Sequence, residues 1–132
     1  MRIGLVVNPD AGLGGRLGFK GSDGRAAEAR AAGAEDRAGP RMAQALDALQ
    51  TLLQGSLNRT DAHVTLVGWE GRMGGSWVNS GSSHLVFEPI GTTPEATSDE
   101  ETLSLVRNLV DAKVEAIVYA GGDGTTRDIV KA

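Results

Sequence analysis

The chain has 132 residues, a net charge of −4 and no cysteine. This length suffices for one domain with a hydrophobic core, while the lack of cysteine excludes disulfides and thiolate metal sites. The charge gives no support for nucleic-acid binding through a basic patch, no apolar run is as long as a membrane span, and the amino terminus lacks a signal pattern, so we expect a cytoplasmic protein.

The first predicted strand leads directly into a glycine-rich loop. The apolar run from Ile3 to Val7 is typical of a strand buried on both faces, and Asn8-Pro9-Asp10 ends it. Six glycines follow between Gly12 and Gly24, with Lys20 among them. The loop has neither the Gly-Lys-Ser/Thr ending of a P-loop nor the glycine spacing of a dinucleotide fingerprint, so neither site is predicted. Asp23 suits an ordinary turn and a ligand contact equally.

Two helices are predicted in the middle of the chain. One begins near Pro40 and ends at Gly55. Another begins at Ser98, because Ser98 and Glu101 have the spacing of a capping box. The apolar residues predicted to face the sheet are Met42, Leu46, Leu49 and Leu53 in the first helix, and Leu103, Val106 and Val110 in the second.

Three further short apolar runs predict strands: Val64–Val67, Leu85–Phe87, which Pro89 closes, and Ala116–Tyr119. Strands that alternate with helices predict an α/β fold, a Rossmann-like open and mostly parallel sheet with helices on both faces. In such sheets ligands bind beyond the carboxyl ends of the strands, where the strand order reverses. The loops that follow the first and last strands should therefore converge at one edge.

The last strand runs into the glycine motif Gly-Gly-Asp-Gly-Thr, residues 121–125. Its three glycines can adopt positive φ and let a ligand approach the backbone, while the free N–H groups of a following helix favour an anion. Asp123 is unexpected there, because a carboxylate repels phosphate unless it accepts a proton or holds Mg²⁺. A simple turn aspartate is the alternative.

Taken together, four motifs resemble the ATP-NAD kinase family, and more narrowly its predicted polyphosphate/ATP-NAD kinase branch. The motifs are Asn8-Pro9 with Ala11-Gly12, the loop Lys20-Gly21-Ser22-Asp23-Gly24, Thr97-Ser98 with Glu101-Thr102, and Gly121 to Thr125 followed by Arg127-Asp128-Ile129. The resemblance covers nearly the whole chain but only the amino-terminal half of such an enzyme. It implies that residues 1–132 form one α/β nucleotide-binding domain without the family's β-rich carboxyl-terminal domain, which supplies much of the NAD site.

The resemblance implies a phosphotransferase. The γ-phosphoryl group of ATP, or a phosphoryl group of polyphosphate, would move to the 2′-hydroxyl of the adenosine ribose of NAD and give NADP. Asp123 would polarise or deprotonate that hydroxyl, and Mg²⁺ would offset the charge of the transferring group. The implied ligand-binding residues are Asn8, Gly12, Gly14, Lys20, Asp23, Gly121, Gly122, Gly124, Thr125 and Arg127.

Two alternative functions stay open. Diacylglycerol and sphingosine kinases share the glycine motif, so the chain could be a lipid kinase relative, although no residue indicates a groove for acyl chains. It could also be a non-catalytic nucleotide-binding module.

Ile129 and Val130 follow the glycine motif on a short helix and are expected to be exposed. Because an exposed apolar surface tends to find a partner, we expect a homo-oligomer through that helix.

Overall fold

The computed structural model describes residues 1–11, 37–55, 63–81 and 84–132. Strands alternate with α-helices along these ranges, as the sequence predicted, except that only a 3₁₀ turn is described between β2 and β3. The elements are β1 (Arg2–Val7), α1 (Ala38–Gln54), β2 (Val64–Glu70), a 3₁₀ turn (Gly75–Trp77), β3 (Leu85–Thr92), α2 (Asp99–Asp111), β4 (Ala116–Ala120) and α3 (Asp123–Lys131).

The strands form one parallel sheet in the order β3-β2-β1-β4. The chain passes from β1 outward to β2 and β3, then crosses back so that β4 lies on the other side of β1. Ile3 is opposite Ala116 and Val7 is opposite Ala120, so β1 and β4 end level with each other. The predicted α/β fold with a parallel sheet is confirmed, and its strand order reverses between β1 and β4.

Helices cover both faces of the sheet. The side chains of β1 alternate, so that Leu5 and Val7 lie in one apolar cluster with α1 while Val6 lies in the other with α2. The buried members of the first cluster include Met42, Leu46, Leu66 and Leu85, and those of the second include Val67, Met73, Leu105 and Leu109. Helix α3 joins the second side, because Ile129 packs against the second cluster.

Strand β3 is longer than the sequence predicted. Pro89 does not close it but lies inside it, opposite Gly68 of β2. The pairing shifts immediately afterwards, since Trp69 is opposite Gly91 and Ile90 is the extra residue. Proline lacks an N–H donor, and an edge strand beside an irregularity is where a sheet tolerates this.

The predicted apolar face of α2 is wrong by one position. The structure buries Thr102, Leu105, Val106 and Leu109, whereas Val110 is 60% exposed. Positions 102, 105, 106 and 109 follow the i, i+3, i+4, i+7 spacing of a complete helical face. The sequence carries apolar residues on two adjacent stripes, and the stripe that meets the sheet begins with a polar threonine.

The edge at β4 keeps apolar groups accessible. Val118 and Tyr119 are each more than a third exposed, and Val130 is 81% exposed. The expectation that Ile129 is exposed as well is wrong, because it packs on the cluster beneath α2. Within the described ranges, every helix falls short of the length and apolar character that a bilayer crossing requires.

Candidate functional site

The candidate site lies where the carboxyl ends of β1 and β4 meet. The strand order reverses between these two strands, which leaves a crevice in open α/β sheets because the connections leave in opposite directions. The backbone N–H of Asn8 donates to the carbonyl of Ala120 at 3.0 Å and extends the strand pairing by one residue. On the other side of β1, the N–H of Val7 donates to the carbonyl of the buried Met73 at 2.9 Å.

A tight turn follows β1 and is held by the Asn8 side chain. The Oδ1 atom of Asn8 accepts a hydrogen bond from the N–H of Asp10 at 3.1 Å, and the backbone carbonyl of Asn8 accepts one from the N–H of Ala11 at 3.1 Å. Asparagine favours such turns because its short side chain can replace a backbone acceptor. The turn leaves the Asn8 amide nitrogen directed at the glycine motif.

The Asn8 side chain joins the two loops. Its Nδ2 atom donates a hydrogen bond to the Oγ1 atom of Thr125 at 2.9 Å, and Thr125 is only 3% exposed. These residues are 117 positions apart in sequence. The predicted convergence of the two loops is therefore confirmed for the described start of the first loop and for the glycine motif.

The glycines of the motif do not use left-handed backbone, contrary to the sequence-based expectation. Among the described glycines only Gly71 has positive φ. At Gly121 an added Cβ would lie 2.3 Å from Oγ1 of Thr125, so close packing requires glycine there. At Gly122, with φ −96°, an added Cβ would have no neighbour within 4 Å among the described residues, apart from the two adjacent in sequence. Gly124 lies in the first turn of α3.

Gly122 is the residue immediately before α3. This helix begins at Asp123, and no side chain in the described ranges caps it. The first hydrogen bond within the helix runs from the N–H of Thr126 to the carbonyl of Gly122 at 3.1 Å. The amides of residues 123–125 therefore precede the intrahelical hydrogen bonds, and a helix start of this kind attracts anions.

Asp123 and Arg127 lie one turn apart on α3, and both are exposed. In the part of the chain that the structure describes, no group donates a hydrogen bond to the Asp123 carboxylate. Arg127 makes no ion pair with the residues described. The spacing of four residues brings a base and a cation to one side of the helix.

The structure adds Thr97 and Asp10 to this edge, neither of which is among the predicted ligand-binding residues. The Oγ1 atom of Thr97 donates a hydrogen bond to Oδ2 of Asp10 at 3.2 Å. This contact ties the segment before α2 to the turn after β1. Asp10 was interpreted only as a strand terminator, and its position two residues after Asn8 was the signal that could have identified it.

The capping box at the start of α2 is confirmed. The backbone N–H and the hydroxyl of Ser98 both donate to Oε2 of Glu101, at 2.7 and 2.6 Å. The N–H of Glu100 donates to the Ser98 hydroxyl at 3.2 Å. The Ser98 hydroxyl first, and the Ser98 backbone N–H in addition, lower the pKa of Glu101 below its ordinary value of 4.5. Glu101 therefore has a structural role in fixing the helix start beside Thr97.

Part of the predicted site lies outside the residues that the structure describes: Gly12, Gly14, Lys20 and Asp23. Within the described ranges, acidic and histidine side chains form no group of three that could hold a metal ion by itself.

Comparison with known proteins gives one result that bears on this edge. The family model for the ATP-NAD kinase N-terminal domain matches residues 3–132. The matched region begins in β1 and includes both the Asn8 turn and the glycine motif. Neither a curated protein nor a solved structure matches the chain.

Proposed function

The chain belongs to the ATP-NAD kinase family, as its N-terminal domain. From this premise we propose that it is the nucleotide-binding half of an enzyme that phosphorylates the 2′-hydroxyl of the adenosine ribose of NAD. Family membership makes its function NAD kinase-like, with NAD and ATP as the substrates that the family implies. The match favours this function over the two alternatives, a lipid kinase relative and a non-catalytic module.

The observation that carries the proposal is the position of Asp123. Its exposed carboxylate stands at the first residue of α3, directly after Gly122 and at the reversal of strand order. A phosphate-binding helix start that also presents a carboxylate combines an anion site with a base. Phosphoryl transfer needs that combination, because positioning and charge stabilisation account for most of the catalysis.

In the proposed reaction Asp123 accepts the proton of the 2′-hydroxyl. The 2′-oxygen forms a bond to the γ-phosphorus of ATP as the bond from that phosphorus to the β,γ-bridging oxygen breaks, and ADP leaves. With polyphosphate as donor, the leaving group is the polyphosphate shortened by one phosphate. Proton acceptance by a positioned carboxylate typically contributes about 10²–10⁴-fold to a rate.

The described residues fit Mg²⁺ that arrives with the phosphates rather than a cage made of protein. Mg²⁺ commonly uses one or two carboxylates together with substrate phosphates and water. With Asp123 as the base, the substrate phosphates and water would supply the ligands of the ion, and the described ranges contain no group of three acidic or histidine residues that would form a dedicated site. When bound, the ion would offset negative charge on the transferring phosphoryl group.

The remaining residues would bind the nucleotide. We propose that the backbone of Gly121, Gly122 and Gly124 holds phosphates, that Arg127 offsets their charge, and that Asn8 with Thr125 keeps the two loops together. Gly12, Gly14, Lys20 and Asp23, outside the described residues, complete the proposed set. A cytoplasmic location, as expected from the sequence, suits these substrates.

The function is tested by measuring NADP formation in the full-length product of the gene. The protein is incubated with NAD, Mg²⁺ and either ATP or polyphosphate, and the phosphorylated product is located by ³¹P NMR. A 2′-phosphate formed at a rate that falls in Asp123→Asn supports the proposal, and the better donor identifies ATP or polyphosphate. Phosphorylation of diacylglycerol or sphingosine in place of NAD would contradict it.

The proposed homo-oligomer is tested separately by sedimentation at several concentrations. Val130 is the most exposed large apolar side chain in the described part of the chain, so Val130→Asp should dissociate the oligomer. A monomeric parent protein at high concentration would contradict this proposal without affecting the enzymatic one.

A further inference from the structure

Tyr119, the single tyrosine of the chain, makes a contact that its place in an apolar strand did not predict. Its hydroxyl lies 2.8 Å from the Oγ1 atom of Thr126 on α3. The same Oγ1 atom lies 3.2 Å from the carbonyl oxygen of Gly122, to which the Thr126 hydroxyl donates. The three residues therefore form a connected set from the last strand to the first residue before α3.

The direction of these hydrogen bonds follows from the number of protons available. The Thr126 hydroxyl has one proton, and the Gly122 carbonyl can only accept. Because Thr126 donates its proton to Gly122, the hydroxyl of Tyr119 must be the donor to Thr126. Each donor in such a chain polarises the next group, which strengthens the contact with the carbonyl.

The Gly122 carbonyl shares a planar trans peptide with the N–H of Asp123, and the described chain has no cis peptide. Fixing the carbonyl along the helix axis therefore directs the Asp123 N–H the opposite way, out of the helix start. The carbonyl also accepts the first helical hydrogen bond, from the N–H of Thr126 at 3.1 Å. One oxygen atom thus sets both the first turn of α3 and the position of Asp123.

We propose that Tyr119 is a positioning residue, which fixes the start of α3, and with it Asp123, through Thr126 and the Gly122 carbonyl. Asn8 holds the first turn from β1 through Thr125, and Tyr119 holds it from β4. The role assigned to Tyr119 in catalysis rests on the proposed function, whereas its effect on the helix start does not.

The test compares Tyr119→Phe and Thr126→Val in the full-length protein. The first change removes one oxygen and keeps the ring, and the second keeps the shape of threonine without its hydroxyl. Thr126→Ser retains a hydroxyl and should retain the contact. Thr51 of α1 provides a matched control, because its hydroxyl also donates to the carbonyl four residues earlier, at 3.1 Å, far along the chain from the glycine motif.

Two measurements are made on each variant. The first is hydrogen exchange of the Thr126 amide, which reports the first turn of α3 without any substrate. Loss of one ordinary hydrogen bond should accelerate this exchange by about 2- to 10-fold in Tyr119→Phe and Thr126→Val, and not in Thr51→Val. The second is kcat for NADP formation, with and without Asp123→Asn in the same chain.

In Tyr119→Phe we expect faster exchange of the Thr126 amide and a lower kcat with little change in KM. When Asp123→Asn is already present, Tyr119→Phe should cause no further loss of kcat. Unchanged exchange would overturn the proposal whatever the activity. The proposal would also be overturned if kcat of the double variant fell by the product of the two single losses, because Tyr119 would then act independently of Asp123. If the parent protein forms no NADP, the proposed function is wrong, and the exchange result alone decides whether Tyr119 fixes the helix start.

Discussion

A Cβ atom added to Gly121 would lie 2.3 Å from the hydroxyl oxygen of Thr125 and 2.5 Å from its Cβ atom. Non-bonded heavy atoms do not approach so closely. Thr125 cannot easily move away, since it is 3% exposed and its hydroxyl accepts a hydrogen bond from Asn8. The glycine therefore allows the first turn of α3 to pack directly on the end of β4, which sets the geometry of the candidate site.

The first prediction compares Gly121→Ala with Gly122→Ala. Gly121→Ala should lower the free energy of unfolding by about 1–3 kcal/mol, the usual cost of overpacking. Gly122→Ala should stay within about 0.5 kcal/mol of the parent protein, because the new methyl group meets no described residue beyond its sequence neighbours within 4 Å and a poorer helix cap is offset by the smaller entropy of the unfolded chain. Urea unfolding measures both, and equal losses in the two variants would contradict the packing explanation.

The architecture was predictable because it depends on strong local patterns. The apolar run of β1 forms a strand buried on both faces, and Ser98 with Glu101 forms a capping box. The meeting of Asn8 with the glycine motif followed from a general property of parallel sheets, that their carboxyl ends share one edge. None of these features depends on the detailed packing of a side chain.

The features that sequence reasoning missed depend on tertiary contacts. Val110 is as apolar as Val106, so only the rotation of α2 on the sheet decides which is buried. Pro89 remains in a strand because β3 lies at an edge beside an irregular pairing. The motif glycine Gly121 is required by a neighbouring side chain rather than by its own φ, and a list of residues does not reveal that distance.

The second prediction concerns the hydrogen bond between Asn8 and Thr125. Removing the donor in Asn8→Ala leaves a buried hydroxyl without its partner, which should cost about 1–3 kcal/mol of unfolding free energy. In Thr125→Val that hydroxyl is already absent, so the further cost of Asn8→Ala should be smaller. The double-mutant cycle measured by urea unfolding should give a coupling of about 0.5–3 kcal/mol, and strict additivity would show that the contact does not stabilise the loops.

The third prediction concerns pH and the capping box. Because the pKa of Glu101 is lowered in the folded protein, its carboxylate stabilises the fold above the ordinary value of 4.5, and this contribution is lost as the pH falls through the lower folded value. Ser98→Ala should weaken α2 by about 0.5–2 kcal/mol at neutral pH and reduce the acid-dependent loss. Glu101→Gln, which does not titrate, should remove that loss. Unfolding measured from neutral to acidic pH tests this, and identical slopes in the parent protein and Glu101→Gln would contradict it.

The last prediction separates chemistry from binding in the full-length protein. Asp123→Asn keeps the size of the side chain but removes its basicity, so kcat for NADP formation should fall by about 10²–10⁴-fold while the affinity for NAD hardly changes. Gly122→Ala should instead weaken binding of the phosphoryl donor more than it lowers kcat. Its φ of −96° is compatible with alanine, so backbone strain does not enter, and any effect must come from the methyl group in the open space before α3.

If phosphates occupy that space, Gly122→Ala weakens the binding of the phosphoryl donor and raises its KM, although the fold keeps its stability. The two variants are compared by steady-state kinetics with ATP and with polyphosphate, and by direct titration of NAD. A normal kcat in Asp123→Asn would make this residue a helix-start aspartate without a catalytic role, and Asp23 would become the next candidate for the base. A normal KM in Gly122→Ala would place the phosphates away from the open space beside residue 122.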